Sequence, residues 1–263
     1  MFQNYTTVCG VDAKHLHQLA WVWPTWCLNK PSLLKHPMLV FYDNTQVTKE
    51  QVKETINHPD LNVVPWPPAG ISYERIMEGK FGCPQRYKML AGFVYIPAEF
   101  VQTKYWLKLD TDTVATGQDD WIDEEWFVDD PAIVAQPWSF TKPPDQMLKL
   151  DKWASTIPCL SIESEPLNLI PKERSDRLGH KRIISWCGFF NTEFTKECAG
   201  LADLNTYLFQ LPVPSQDGFH FYLAKRLGYG IVRKHMKDRG WEHWGTEWNI
   251  RQSVEKVLSL CNE

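Results

Sequence analysis

The sequence contains no Cys-x-x-Cys pair and no His/Cys cluster, so its seven cysteines (9, 27, 83, 159, 187, 198 and 261) do not outline a structural zinc site. Their odd number argues for reduced, mostly buried thiols instead of a disulfide framework. No apolar run approaches the ~18 residues that span a bilayer. Asp12, Lys14, His15 and His17 interrupt the stretch where a signal peptide would be continuously apolar. These absences predict a cytoplasmic protein without an integral membrane segment. A dominant charge is missing too: 28 Lys and Arg against 32 Asp and Glu leave −4, without the basic excess of chains that neutralise phosphate backbones. No nucleic-acid partner is expected. Repeats, low-complexity tracts and clear linkers are also lacking, which in 263 residues favours one large domain.

What the chain has is an ordinary apolar fraction, 43%, and an unusual amount of tryptophan, 13 residues. The first half alternates strand and helix signals. Tyr5 to Val11 is β-branched and ends at Asp12, a helix is expected from Ala13 to Leu28, and Met38 to Tyr42 is an apolar run closed by Asp43. Thr48 with Gln51 forms a capping-box pattern for a helix reaching about Asn57, followed by a short strand, Leu61 to Val64. Pro84 suits the first position of a helix that Pro97 is expected to end, and Tyr105 to Leu109 is the next strand. This alternation predicts an α/β fold: a mainly parallel central sheet with helices on both faces and ligands gathered beyond the strand carboxyl ends. Asp12, Asp43 and Asp110 should then share one rim. From 139 to 182 the pattern dissolves into Pro-rich, charged sequence with one helix expected near Asp145 to Ala154, an irregular insertion on the same domain. Its basic cluster, Lys172, Arg174, Arg177, Lys181 and Arg182, suits a solvated face or an anionic acceptor.

Asp110-Thr111-Asp112 puts two carboxylates two residues apart after a buried strand, where alternate side chains share a face and can converge on one hard cation. Together with the preceding helix and strand, PQRYKMLAGFVYIPAEFVQTKYWLKLDTDTVATG from Pro84 to Gly117, this motif resembles the GT-A fold nucleotide-sugar glycosyltransferases, especially the glycogenin and bacterial galactosyltransferase group. The resemblance implies a single domain, 1–117 forming the nucleotide-binding half and 118–263 the acceptor-side half. It implies a divalent metal, manganese or magnesium, at Asp110 and Asp112, and a donor nucleotide, UDP above all, held by Arg86, Asp12, Asp110, Thr111 and His243. On a helical wheel Arg86 falls among Met89, Leu90, Phe93 and Val94, so it is expected on the apolar face, in need of a carboxylate or phosphate, with Lys88 turned outward. Lys108 departs from the family's apolar strand and needs a carboxylate partner or an exposed edge.

Further along, IISWCGFFNTEF (Ile183 to Phe194) resembles the family's acceptor-side strand, and Ser215-Gln216-Asp217-Gly218 its Gln-Asp pair beside the reacting sugar, which makes Gln216 and Asp217 the catalytic candidates. Read from residue type alone, Ser215 or Asp217 is equally a helix cap. In IVRKHMKDRGWEHW, His235 is the candidate third metal ligand, with His243 beside the diphosphate and Gly240 and Trp244 completing a loose match. Trp138, Trp186 and Trp241 are candidate sugar-stacking faces or core. The expected activity is metal-dependent transfer of a sugar from the donor to a hydroxyl of a sugar, lipid or protein acceptor, with retention of configuration. The alternatives are a haloacid dehalogenase-type phosphatase, which also uses Asp-x-Asp after a strand, and a non-catalytic carbohydrate-binding protein.

Overall fold

The computed structural model describes residues 4–68, 84–138, 150–160, 182–211 and 216–260, without the side chains of Pro84, Trp138, Arg182 and Ile184. The insertion therefore lies largely outside the described residues, as do Lys172, Arg174, Arg177 and Lys181 of its basic cluster and, beyond it, Ser215, although 150–154 is helical as expected.

Among the described residues the fold is carried by β1 (Tyr5–Val11), α1 (Ala13–Asn29), β2 (Met38–Asp43), α2 (Lys49–Thr55), β3 (Leu61–Trp66), α3 (Pro84–Phe100), β4 (Tyr105–Leu109), β5 (Thr113–Ala115), β6 (Ile133–Trp138), β7 (Arg182–Asn191), α4 (Thr192–Leu201), α5 (Gln216–Arg226), β8 (Ile231–Arg233), β9 (Trp241–His243) and α6 (Glu247–Ser259). Seven strands form one sheet in the order β3-β2-β1-β4-β7-β6-β8. Within it β7 runs antiparallel to both neighbours, β4 and β6, and the remaining pairs are parallel. β5 and β9 make a separate antiparallel pair.

Side chains on the strands alternate between two cores, as the pleat requires. Val8, Leu39, Phe41 and Trp106 pack with α3, α4 and α5 on one face. Cys9, Met38, Val40, Leu107 and Leu109 pack with α1, α2 and α6 on the other. Two cores leave the central strands no solvated face, which is why they read as continuous apolar runs.

The local signals are realised with one exception, Pro97. Asp12 caps α1, and Thr48 with Gln51 closes a complete capping box on α2. Pro97 does not end α3, which runs on to Phe100, and Pro24 likewise sits inside α1. A proline interior to a helix costs about 3 kcal/mol; here Val94, Ile96 and Val101, all buried, keep the last turn of α3 against the core. The five described cysteines are free thiols, and Cys9, Cys187 and Cys198 are buried. No described helix is long and apolar enough to cross a membrane.

Candidate active site

The carboxyl ends of β1, β2 and β4 lie side by side because these strands are parallel neighbours, so Asp12, Asp43 and Asp110 do share one rim. Beyond β4 the chain turns at once: Thr113 N donates to Asp110 O at 3.1 Å, and Asp110 N donates across to Trp186 O at 2.8 Å. This turn leaves both Asp110 and Asp112 half-buried.

The third member of the cluster comes from far along the chain. β9 pairs with β5 in a register that sets His243 opposite Thr113, and Trp244 N donates to Asp112 O at 3.1 Å. The His243 ring stacks on Trp186 with centroids 5.5 Å apart, and its Nε2 lies 3.1 Å from Asp112 Oδ1. Gly240 makes this return possible. It has φ +73°, and a Cβ there would sit 2.5 Å from Gly117 Cα, so only glycine allows the two chains to touch.

One ligand atom from each of Asp110, Asp112 and His243 lies within 4.8 Å of the others. Two carboxylate oxygens and an imidazole nitrogen suit a divalent cation that keeps open positions for a phosphate ligand, so the donor set fits the expected metal. His235 is not part of this group. It is exposed at the start of a 3₁₀ turn, Met236–Arg239, because the chain must leave β8 at Arg233 and pass that turn before it can pair with β5. Burial works against a charged His243, but the Asp112 contact, with Asp110 nearby, outweighs it and raises the ring's pKa.

A bulge in β7 shapes the other side of the site. In the β6–β7 pairing Ala135 faces Gly188 but Gln136 faces Ile184, which releases Ser185, Trp186 and Cys187 from β6. Ser185 Oγ donates to Asp217 Oδ1 and accepts from Gln216 Nε2 at 3.0 Å. Gln216 is fully buried, and its Oε1 has no hydrogen-bond partner among the described residues. Burial pushes the Asp217 carboxyl upward, although the charge of Lys108 and the Ser185 hydroxyl pull against it. Lys108 has the carboxylate partner its strand required: Nζ lies 2.5 Å from Asp110 Oδ1.

At the rim the faces of α3 are not those expected from the helical wheel. Lys88, expected outside, is buried and pairs with the fully buried Asp43 at 2.5 Å, whereas Arg86 is exposed. The helix is buried nearly all round, so an apolar stripe cannot tell its faces apart. Gln85 Nε2 joins Asp43 Oδ2 (2.7 Å) to Asp12 Oδ2 (3.2 Å). Burial opposes ionisation of Asp12, but the His15 ring and backbone N–H and the Gln85 amide hold its carboxyl well below the usual range. His15 escaped the sequence reading. Its signal was the spacing from Asp12, the N-cap-to-N3 relation that brings an i+3 side chain back to the cap. Thr111 is buried and its hydroxyl donates to Gln18 Oε1 (3.3 Å), so its side chain braces α1. Trp241 is core, edge-on to both Trp26 and Trp121. The Trp138 side chain lies outside the described residues.

His220, one turn after Gln216, is buried with neither ring nitrogen hydrogen-bonded among the described residues. Phe190, Phe194 and Phe219 surround it, with ring centroids 5.1, 5.9 and 6.1 Å away. Burial, reinforced by the charge of Lys108, lowers its pKa to about 3. The unfolded chain binds this proton below about pH 6.5 and the folded chain does not. Stability should therefore fall as pH drops through that window. His220→Phe should flatten the loss, and melting temperatures of the two proteins at pH 7 and pH 4.5 test it. An equal loss in both would assign the acid sensitivity to other groups.

No family model matches the chain, and no curated protein matches it in sequence. Solved structures do share its fold. Core-mannan synthase A from Aspergillus fumigatus, in its Mn/GDP form, superposes with a TM-score of 0.60 at 14% identity, over 92% of this chain and 74% of that one. The galactosyltransferase LgtC gives 0.54 at 10% identity over 97% and 95%. The 4-diphosphocytidyl-2C-methyl-D-erythritol synthase from Anaerococcus prevotii gives 0.54 at 9% identity over the full length of both. At these identities the likeness is one of fold, and it bears out the expected GT-A-like architecture.

Proposed function

We propose that this protein is a metal-dependent glycosyltransferase that moves a sugar from a nucleoside diphosphate donor, a UDP-sugar first, to a hydroxyl acceptor. The observation that carries the reading is the meeting of Asp110, Asp112 and His243, from elements 130 residues apart, at the strand carboxyl ends between a donor rim and a buried Gln216–Ser185–Asp217 group. Asp110, Asp112 and His243 would hold the cation, which supplies charge stabilisation for the departing diphosphate. In this reading Arg86, exposed in the first turn of α3, contacts the donor phosphates and Asp12 the donor nucleoside. Trp186, stacked under His243, fixes that ring and limits water beneath it.

Asp217 is held by Ser185 and lies in the field of Lys108, an arrangement suited to orienting a sugar hydroxyl. In this reading configuration is retained, and Asp217→Asn keeps measurable turnover because an amide preserves much of the hydrogen bonding. An inverting enzyme would lose its general base, a cost of about 10²–10⁴-fold. The product anomer, recorded by NMR once a donor is found, decides between them.

Donor hydrolysis tests the reading as a whole. With manganese present, UDP-sugars or GDP-sugars should slowly release the nucleoside diphosphate; GDP is included because it accompanies the Aspergillus neighbour. Release of pyrophosphate from a nucleoside triphosphate would instead point to nucleotidyl transfer. Preference for phosphomonoesters would indicate a phosphatase, against which the position of Asp-x-Asp after the fourth strand already speaks. Sugar binding without any release would leave a carbohydrate-binding protein.

A further inference from the structure

Lys108 has a second set of contacts that the proposed chemistry does not use. It is 2% exposed, in a strand whose other members, Tyr105, Trp106, Leu107 and Leu109, are all buried. Its Nζ donates to Asp110 Oδ1 at 2.5 Å and to Ser185 O at 2.9 Å, and sits 4.7 Å from the centre of the Phe93 ring. The same Ser185 holds Asp217 and Gln216 through its hydroxyl. One ammonium thus joins a carboxylate of the candidate cation cluster to the Ser185–Gln216–Asp217 group.

A fixed positive charge on a ligand carboxylate does two things. It locks that carboxylate in one orientation, and it repels any cation the cluster would take up. The repulsion acts on a divalent ion with twice the unit charge in a poorly solvated place, whereas the locking freezes only one short side chain, so the charge effect is the larger. A diphosphate brings negative charge of its own and offsets the ammonium.

Resting on the glycosyltransferase reading, we propose that Lys108 is a positioning residue that makes the cation and the nucleoside diphosphate load together: it keeps the cluster a poor site for a free cation, while holding Asp110 and the Ser185–Asp217 group in register for the pair. Binding free energies are reciprocal, so each ligand should strengthen the other by the same factor.

Calorimetric titration with Mn²⁺ alone, and with Mn²⁺ in saturating UDP or GDP, tests this on the wild type, Lys108→Met and Lys108→Arg. In the wild type one of the nucleotides should tighten Mn²⁺ binding by at least about tenfold. Lys108→Met should bind Mn²⁺ alone about tenfold more tightly than the wild type, with the nucleotide effect shrunk to about threefold or less. Lys108→Arg, which keeps the charge, should behave as the wild type. If Lys108→Met fails to fold, Lys108→Gln, which keeps a donor and drops the charge, carries the same expectation. A folded, neutral variant that binds Mn²⁺ alone no more tightly than the wild type overturns the proposal and leaves the glycosyltransferase reading standing. A wild type that binds Mn²⁺ neither alone nor with either nucleotide overturns both.

Discussion

Asp112→Ala is expected to abolish cation-dependent nucleotide binding while the protein stays folded. Asp112 is half-buried, and among the described residues its carboxylate contacts His243, itself partly exposed, so its removal strips no deeply buried charge of its hydrogen-bonded partner. The site loses one of three candidate ligands. Even changes to groups that merely support a ligand cost about 10–100-fold in metal affinity, so loss of the ligand itself should cost at least about 100-fold. Calorimetry with UDP or GDP, with and without manganese, supplies the measurement, and circular dichroism checks the fold. His243→Ala should fail in the same way, whereas His235→Ala should be silent. Nucleotide affinity that ignores the metal would count decisively against the assignment.

Lys88→Ala should be the most damaging of the substitutions to stability. Its ammonium and Asp43 form a pair with side chains 7% and 0% exposed. Thr45, Gln46 and Gln85 donate to the same carboxylate, and although burial works against ionisation, Lys88 and these donors hold its pKa low. Removing the lysine leaves a buried anion with neutral donors alone, a change that costs about 3–5 kcal/mol. At roughly 2–4 °C per kcal/mol for a chain of this size, melting should fall by about 6–20 °C. Lys88→Met combined with Asp43→Asn should recover most of the loss, since replacing both members of a buried pair is often neutral. Arg86→Ala, two residues away and exposed, should leave melting nearly unchanged and weaken the donor instead. If Lys88→Ala melts like Arg86→Ala, the buried pair contributes nothing to stability.

The contrast between Arg86 and Lys88 marks a limit of periodicity as evidence. A wheel identifies a buried face only when the opposite face is polar. In α3, Tyr87, Lys88, Met89, Ala91, Phe93, Val94 and Ile96 are all buried, so burial followed from the layers on either side and not from the pattern. The third candidate cation ligand shows a different limit. His235 and His243 are both histidines in the same short segment, and the choice between them depends on the turn after β8 and the β5–β9 register.

The sequence by itself determined the order of strands and helices from β1 to β4, the cap at Thr48 and the Asp110–Asp112 pair, because each rests on neighbours within about one helical turn or one strand; the rim shared by Asp12, Asp43 and Asp110 followed from that alternation, which sets the strands parallel with their carboxyl ends together. It also signalled that Lys108 required a partner, since a charge in an apolar strand is costly wherever the strand lies. Only the tertiary structure decided which histidine meets the aspartates, that Lys88 and not Arg86 is the buried cation, and that a bulge in β7 presents Ser185 to Asp217. Those facts depend on pairings between residues tens to more than a hundred positions apart. They are set by which surfaces the packed sheet brings together, and no local pattern encodes them.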